Sequence, residues 1–476
     1  MTIADRGGEP QEKSVSQFDA NNEAQLTKAD GMLRSDMSYE VKEILITSPS
    51  GGEVDIVNLF TQVSIYEDLM TNTMSASVNF TDALNVVKHL PIIGQKEKLK
   101  IVFSLPSADT VTYEFDIYRV AVRQISTTQK RQNVKLSAVS SEQFKNVHTR
   151  ISKSYYDKID SMVTSIFDEV KDKAELEVQV ESDSEKRKFI VPNWHPFDAI
   201  NWLAQRCPSK DNSNACHYIF YQDRDGYKFT TIEKLFEEET PKMEYLYSPR
   251  KYRESPRFFR DTGLEMRNIQ RLVIDEPGNR LDENIKGMYG SKILTHDIVR
   301  KKYEFTEFSM KDEYTSTKHV DEAYPICEQL DEFSTEPDTF WNFCPIHKNL
   351  NQENELHGGD TVEQNEKYSD WLLRRKSLMR QLSSYIVKVT VNGDSRRKCG
   401  DVVELRVTPL QPGSAEDQMH DKYLNGKYLV SSIKHNITPD GYLMDMELAR
   451  DSVGQAYPAQ STFLQDIRSA SNASQE

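Results

Sequence analysis

The stretch EKLKIVFSLPSADTVTYEFDIYRVAVRQISTTQKRQNVKLSAVSS, residues 97–141, carries three runs in which apolar and polar residues alternate. Short polar turns separate the runs. This pattern predicts antiparallel β-strands at hairpin spacing. Similar runs precede it, in YEVKEILITS and VDIVNLFTQVSIYEDL. Residues 38–145 are therefore predicted to form a first β-barrel or sandwich.

The rest of the chain divides by composition. A second β-barrel is predicted over residues 385–452, after a helix that begins near residue 361 and ends at Ser384. The other predicted segments are a flexible arm at 1–37, a helical and α/β hairpin region at 146–250, a mixed region at 251–384 with a polar, loop-like insertion at 331–366, and a flexible tail at 453–476. The predicted fold class is β-rich mixed α+β.

Two helices are predicted between the β regions. In SKSYYDKIDSMVTSIFDEV the apolar residues recur at helical spacing, and Ser154 with Asp157 resembles a capping box. In PNWHPFDAINWLAQR, Pro196 suits the first turn of a helix, where its missing N–H costs nothing.

The hairpin YIFYQDRDGYKF, Tyr218–Phe229, holds an acidic turn that resembles a calcium loop. Counted with Gly226 as the sixth residue, an EF-hand loop would need ligands at Tyr221 and Ile232, and neither residue can serve. Asp-Gly instead supplies the positive φ of a tight hairpin turn. We expect a turn here, with no catalytic role.

One cluster of cysteine and histidine residues could bind zinc or iron. Cys344 and His347 have a two-residue gap, with Cys327 before them and His357 after them. The other two intervals match no common zinc spacing, and the sequence leaves this alternative open. Cys207 and Cys216 could close a disulfide, although reduced thiols are expected in a cytoplasm.

Composition limits the function. The net charge of −15 argues against nucleic-acid binding as the main task, because phosphate contacts need clustered Lys and Arg. No apolar run approaches a membrane span and no signal pattern opens the chain, so assembly in a cytoplasm is expected. No nucleophile elbow, phosphate loop or zinc-protease helix appears. We therefore predict no catalytic, cofactor-binding or metal-binding residues.

Several segments resemble the central baseplate hub of contractile-tailed bacteriophages. They are PNWHPFDAINWLAQR with YIFYQDRDGYKFTTIEKLF, VNGDSRRKCGDVVELRVTP, HLPIIGQKEKLKIVF, and the ending GKYLVSSIKHNITPDGYLMDMELARDS. The resemblance covers roughly residues 40–450 and extends to the spike proteins of type VI secretion systems. It implies tail-tube-like barrels and a structural virion protein of the tail baseplate.

That protein would be a homotrimer with the tail tube or a tube initiator above, the central spike below and wedge proteins around it. DNA would pass through without specific binding. The chain ends soon after its second barrel, so the spike is expected to be a separate protein. The alternatives are a tail-associated cell-wall hydrolase and the hub of a related injection system.

The two β regions are predicted to be one unit present twice. Glycine, strand, turn, strand and closing strand follow in the same order after Gly94 and Gly400. Val120 matches Ile433 in its strand, and Leu136 matches Met446 in the next strand. Three chains would then form a ring of six barrels between a six-fold tube and a three-fold spike, with an acidic channel. The alternative is that any two antiparallel barrels look alike in sequence.

Overall fold

A computed structural model describes residues 39–247, 266–325, 341–346, 368–407 and 424–454. Short gaps interrupt these ranges at 83–85, 87–91, 95, 106–108, 127–130, 184–185, 213–214, 238–239, 276–278 and 298–300. The predicted arm at 1–37 and most of the predicted tail at 453–476 lie outside the described residues.

One antiparallel sheet of 13 strands dominates the fold. Its strands are β1 (Glu40–Thr47), β2 (Glu53–Asp55), β3 (Phe60–Asp68), β4 (Ser75–Asp82), β5 (Glu97–Ser104), β6 (Val111–Ser126), β7 (Arg131–Val139), β13 (Glu244–Tyr247), β14 (Ile269–Asp275), β18 (Ile386–Asn392), β19 (Val402–Val407), β20 (Gly426–Thr438) and β21 (Gly441–Ala449). The only parallel pair in this sheet, among the described residues, joins β13 to β19.

The smaller sheets lie in the middle of the chain. Their strands are β8 (Ile151–Asp157), β9 (Leu176–Val178), β10 (Arg187–Trp194), β11 (Tyr218–Asp223), β12 (Gly226–Thr231), β15 (Gly290–Asp297), β16 (Lys302–Ser309) and β17 (Trp341–Ile346). The helices are α1 (Ser141–His148), α2 (Ile159–Phe167), α3 (Pro196–Gln205), α4 (Ile232–Phe236), α5 (Arg280–Ile285), α6 (Met310–Glu313) and α7 (Tyr368–Ser384), with one 3-10 turn at Tyr314–Ser316.

Both predicted β regions belong to the large sheet. The first contributes the order β2-β1-β5-β6-β7-β4-β3, and the second contributes β20-β21-β18 with β19 attached to β20. Two strands from earlier segments complete this half of the sheet, β14 beside β18 and β13 beside β19. Strand β3 pairs with β20, which joins the two regions into one sheet. Each region covers its own apolar core, with Ile65 in the first and Ile433 in the second. The prediction of a β-rich α+β fold is confirmed, while closure into two barrels stays a prediction.

The two regions repeat one pattern of strands. Strands β3, β4, β5, β6 and β7 correspond in order and pairing to β14, β18, β19, β20 and β21. A β-bulge falls between Phe60 and Gln62 in the β3–β4 pair, and its counterpart falls between Ile269 and Arg271 in the β14–β18 pair. Since bulges interrupt a ladder at one defined residue, a shared bulge fixes the equivalence of the two registers.

The residues predicted to be equivalent in the two repeats, Val120 with Ile433 and Leu136 with Met446, also have equivalent places in the sheet. Val120 lies opposite Leu136, and Ile433 lies opposite Met446. The glycine match is displaced by two residues, because Gly400 corresponds to Lys96 and not to Gly94. The Lys96 amide donates to the Ile117 carbonyl at 3.2 Å, as the Gly400 amide donates to the Val430 carbonyl at 3.0 Å. Both residues have a positive φ, 69° and 89°.

A long insertion distinguishes the second repeat. Strands β3 and β4 are joined by residues 69–74, whereas β14 and β18 are separated by residues 276–385. The insertion holds the β16-β15-β17 sheet and helix α7. The prediction of a loop over 331–366 is wrong for Trp341–Ile346, which pair in parallel with β15. Helix α7 is confirmed from Tyr368 to Ser384, and its predicted earlier start lies outside the described residues.

The middle region corrects one helix boundary. Helix α2 begins at Ile159 with Lys158 as its N-cap, and no side chain caps it. The capping box at Ser154 and Asp157 is wrong, because both residues lie in β8 and pair with β10. Because the residues after Ser154 are extended, no helical first turn is present whose amides a capping box could bond. Helix α3 begins at Pro196 as predicted. In the described part of the chain, no helix is both long enough and apolar enough to cross a membrane.

Candidate assembly site

The seam between the two repeats is held on its polar face by amide side chains. The Gln62 amide donates to Asn436 Oδ1 at 2.7 Å, and the Asn79 amide donates to Gln62 Oε1 at 3.2 Å. Ser64 lies opposite Asn436 in the ladder, and its hydroxyl lies 3.5 Å from Asn436 Oδ1. The Gln62 side chain uses both its donor and its acceptor, so it links β20 to β3 and β4 in one register.

The opposite face of the seam is fully buried. Ile65 lies opposite His435 in the ladder, and both side chains are 0% exposed. His435 Nδ1 lies 2.8 Å from the Tyr442 hydroxyl, and His435 Nε2 lies 3.8 Å from Glu67 Oε1. Burial raises the pKa of Tyr442 well above its usual range, so this hydroxyl keeps its proton. The backbone N–H of Cys399 donates to Glu67 Oε2 at 3.3 Å, which ties the loop before β19 to β3.

One polar face crosses the whole seam. Because opposed residues in antiparallel strands share a face, the register places these side chains together: Gln62, Ser64, Tyr66, Asp68, Ser75, Ser77, Asn79, Lys135, Ser137, Arg271, Val273, Asp275, Lys388, Thr390, Ser432, Lys434, Asn436, Asp445 and Glu447. A groove of about 430 Å³ crosses this face from Tyr66 to Val273. One of its lysines is paired with two carboxylates, since Lys388 Nζ lies 2.8 Å from Asp275 and 3.9 Å from Glu447.

The hairpin of β11 and β12 contacts the first repeat through Gln222. Its side-chain oxygen accepts from the Met74 amide at 3.0 Å and from the Ser140 hydroxyl. Met74 lies just before β4 and Ser140 just after β7, so one amide oxygen holds two adjacent strand ends.

The turn of the same hairpin contacts the second repeat. Arg224 donates to the Ser395 carbonyl, and Lys398 Nζ lies 2.7 Å from Asp225. Asp223 and Lys228 form an ion pair of 2.6 Å with side chains that are 0% and 9% exposed. Asp223 Oδ1 also accepts from the Asp225 amide at 2.9 Å, as in an Asx-turn. The acidic residues of this turn therefore join the hairpin to the second repeat, and the turn lies as predicted between β11 and β12.

The C-terminal Arg450-Asp451-Ser452 run is buried. Arg450 is 2% exposed, and its guanidinium lies 4.9 Å from the ring centre of Tyr428. Asp451 accepts from the Val320 amide at 3.2 Å and lies 2.7 Å from His319 Nδ1. This run fastens the end of the second repeat to the insertion.

The cysteine predictions have different outcomes. Cys207 and Cys216 are buried and form no disulfide, and their sulfurs face different carbonyls, those of Pro208 and Trp371. Burial raises the pKa of Cys207 well above its usual value and that of Cys216 to about 12, so both are unreactive thiols.

Most residues of the possible metal cluster lie outside the described part of the chain. Cys327, His347 and His357 lie outside the described residues, and of Cys344 only the backbone is described, in β17. Among side chains that the structure does describe, no group of three His, Cys, Asp or Glu residues could hold a metal ion.

A curated relative has the same kind of sequence. The chain is 25% identical over 302 residues to a probable baseplate hub protein of Vibrio phage KVP40, across 62% of this chain and 66% of the relative. The chain is related to phage baseplate hub proteins. The alignment spans slightly less than two thirds of that hub protein's length. No family model matches the chain.

Solved tail proteins share the fold. The match to the 43 kDa tail protein of prophage MuSo2 from Shewanella oneidensis covers 86% of the present chain and 98% of the tail protein. Its TM-score is 0.50 and the identity is 10%. A tail protein from Neisseria meningitidis MC58 covers 88% of this chain and 100% of its own, with a TM-score of 0.50 and 12% identity. At such identities the likeness is one of fold alone. The resemblance to baseplate hub proteins is borne out by the relative from Vibrio phage KVP40.

Sequence reasoning missed the β3–β20 seam. Gln62 and Asn436 are ordinary polar residues of alternating strands, and no local pattern marks them as partners. The signal that could have found them was the repeat itself, combined with the unusual length of β20. It pairs with β19 through its first residues and with β3 through its last.

Proposed function

We propose that this chain is a structural baseplate hub of a contractile phage tail. Three chains form a ring that joins the six-fold tail tube to the three-fold central spike, with wedge proteins around it and the DNA passing through. The observation that carries this proposal is the strand-for-strand repeat, with its shared bulge at Phe60 and Ile269. Three chains with two similar units each present six similar surfaces while remaining three-fold.

The polar face that crosses the seam is the surface we propose for the DNA passage. Hydroxyl and amide groups dominate it, and it carries as many acidic as basic residues, four of each: Asp68, Asp275, Asp445 and Glu447 against Lys135, Arg271, Lys388 and Lys434. Binding to DNA depends on uncompensated Lys and Arg, because these release counterions from phosphates. A face without such a surplus lets DNA slide without being held. An acidic channel, as predicted from the net charge, is not required.

The described residues give the hydrolase alternative no support. The buried carboxylates of the site, Asp223, Glu67 and Asp451, are engaged with Lys228, Cys399 and His319. Each of these contacts holds parts of the fold together. We infer that the chain is not an enzyme.

Two measurements test this function. Sedimentation equilibrium of the purified chain should give the mass of three chains, and electron microscopy of the assembled tail should show three chains with six sheet repeats in one ring. A ring of six chains, or a chain that stays monomeric in the tail, would refute it. Purified peptidoglycan should not be hydrolysed, and turnover abolished by one carboxylate substitution would favour the hydrolase.

A further inference from the structure

In the large sheet, two strand edges without a partner among the described residues are the counterparts of the two strands that form the seam. Strand β20 is covered by β21 on one side and by β19 and then β3 on the other. Its counterpart β6 is covered by β7 along Asp116–Ser126, but β5 covers only Val111–Ile117. The half of β6 from Arg119 to Ser126 therefore has one free edge.

The second edge belongs to β14. Strand β3 pairs with β4 and also with β20, whereas its counterpart β14 pairs with β18 and, from Arg271 to Asp275, has no second partner strand among the described residues. Side-chain exposure shows the same asymmetry. Ile65 is 0% exposed, while its counterpart Ile274 is 44% exposed, and Val273 is 39% exposed. Uncovered strand edges with apolar side chains are normally protected or used for pairing.

We propose that β14 of one copy pairs antiparallel with the distal half of β6 of a second copy, in the register of the internal β3–β20 seam. This proposal rests on the proposed hub function and names the contact that would close its ring. We assign a second copy of the chain as the partner, because β14 and β6 are the counterparts of β3 and β20. Those two strands already pair with each other within one chain. A contact of this kind is heterologous, so it repeats from chain to chain until the ring closes.

The shared bulges fix the register. Strand β3 maps onto β14 by the bulges at Phe60 and Ile269, so Ser64 corresponds to Val273. Strand β20 maps onto β6 through their pairing with β21 and β7, so Asn436 corresponds to Gln124. Since Ser64 lies opposite Asn436, Val273 of one copy should lie opposite Gln124 of the next.

Cysteine cross-linking tests this register. Directly opposed strand residues lie within about 4.4–6.8 Å between Cα atoms, which is the range of a disulfide. The double variant Val273→Cys with Gln124→Cys should give cross-linked dimers and trimers on mild oxidation, in the purified chain at high concentration and in assembled tails. The pair Ser64→Cys with Asn436→Cys is the positive control, because it should close within one chain and add no mass.

Two controls make the result specific. The pair Val273→Cys with Ser126→Cys lies two residues out of register and should cross-link at least about tenfold less, since diagonal neighbours are about 7–8 Å apart. Each single cysteine variant measures the background of the native thiols. A trimer in which the shifted pair cross-links as well as the predicted pair, or in which neither does, overturns the proposed contact but leaves the proposed function standing. A chain that is monomeric even in the tail overturns both.

A second variant gives an independent readout. Ile274→Lys places a charge at the proposed contact and should raise the concentration for half-maximal assembly at least about tenfold, while the monomer keeps its thermal stability. Ile190→Lys changes another exposed strand isoleucine, 62% exposed, and should leave assembly unchanged. Equal assembly by both variants would contradict the contact.

Discussion

His319 Nδ1 lies 2.7 Å from Asp451 Oδ2, while His319 Nε2 lies 2.8 Å from the carbonyl oxygen of Tyr314. A carboxylate and a carbonyl can only accept hydrogen bonds, so both ring nitrogens must carry protons. This arrangement holds the imidazolium between the insertion and the end of the second repeat. The ring also stacks on Tyr314 at 3.8 Å.

A pH dependence of stability follows from this arrangement. Burial alone lowers the pKa of His319, but the hydrogen bond and the charge of Asp451 outweigh it and raise the pKa above its usual value. A raised pKa in the folded state stabilises the fold below the unfolded pKa, about 6.5, and this stabilisation is lost as the pH rises through the folded pKa. Urea unfolding from pH 6 to pH 9 should show this loss in the wild type, and His319→Gln should flatten it. Parallel slopes for the two proteins would contradict the assignment.

The hairpin turn should contribute to stability through Asp223. Asp223→Ala leaves the buried ammonium of Lys228 without its closest carboxylate, and we expect the free energy of unfolding to fall by about 3 kcal/mol or more. Asp225→Ala is the matched control, because its side chain is 49% exposed and such ion pairs contribute about 0–1 kcal/mol. Chemical denaturation measures both. The double variant Asp223→Ala with Lys228→Met should recover part of the lost stability, because it also removes the unpaired charge. Equal losses for Asp223→Ala and Asp225→Ala would argue against a stabilising role of the buried Asp223–Lys228 ion pair.

The repeat predicts that substitutions at the equivalent positions Gly400 and Lys96 change stability by different amounts. Gly400 has a φ of 89°, and an added Cβ would lie 2.9 Å from the Tyr221 hydroxyl oxygen, so Gly400→Ala should cost about 1–3 kcal/mol. Lys96 has the same role with a φ of 69°, and Lys96→Gly relieves a strained backbone and should remain within about 1 kcal/mol of the wild type. Thermal unfolding of both variants measures the difference. A tolerated Gly400→Ala would mean that the left-handed turn is not needed.

The possible metal cluster stays a prediction that can be tested directly. Cys344→Ser with His347→Ala should leave the metal content and the fold unchanged, because only one interval of the cluster has a zinc-like spacing. Elemental analysis of the purified chain measures the metal content. Stoichiometric zinc or iron in the wild type that disappears in the double variant would show that the cluster binds metal.

The sequence by itself determined the strands and their repetition. Alternation of apolar and polar residues encodes which face of a strand is buried, so β5, β6 and β7 could be predicted from residues 97–141. The equivalence of Val120 with Ile433 could be predicted for the same reason, because both copies keep the same order of strands and turns. The helix at Pro196 followed from local backbone chemistry.

Tertiary structure decided which strands meet. The pairing of Gln62 with Asn436 joins residues far apart in the chain, and a strand's own pattern does not specify its neighbour. The strand ladder also overruled the capping box at Ser154, since residues up to Asp157 are extended and no helical turn follows Ser154 whose amides it could cap. Ile274 is exposed whereas its counterpart Ile65 is buried, and the order of strands explains the difference. Strand β3 has neighbours on both sides, while β14 lies at the edge of the sheet and lacks the second neighbour.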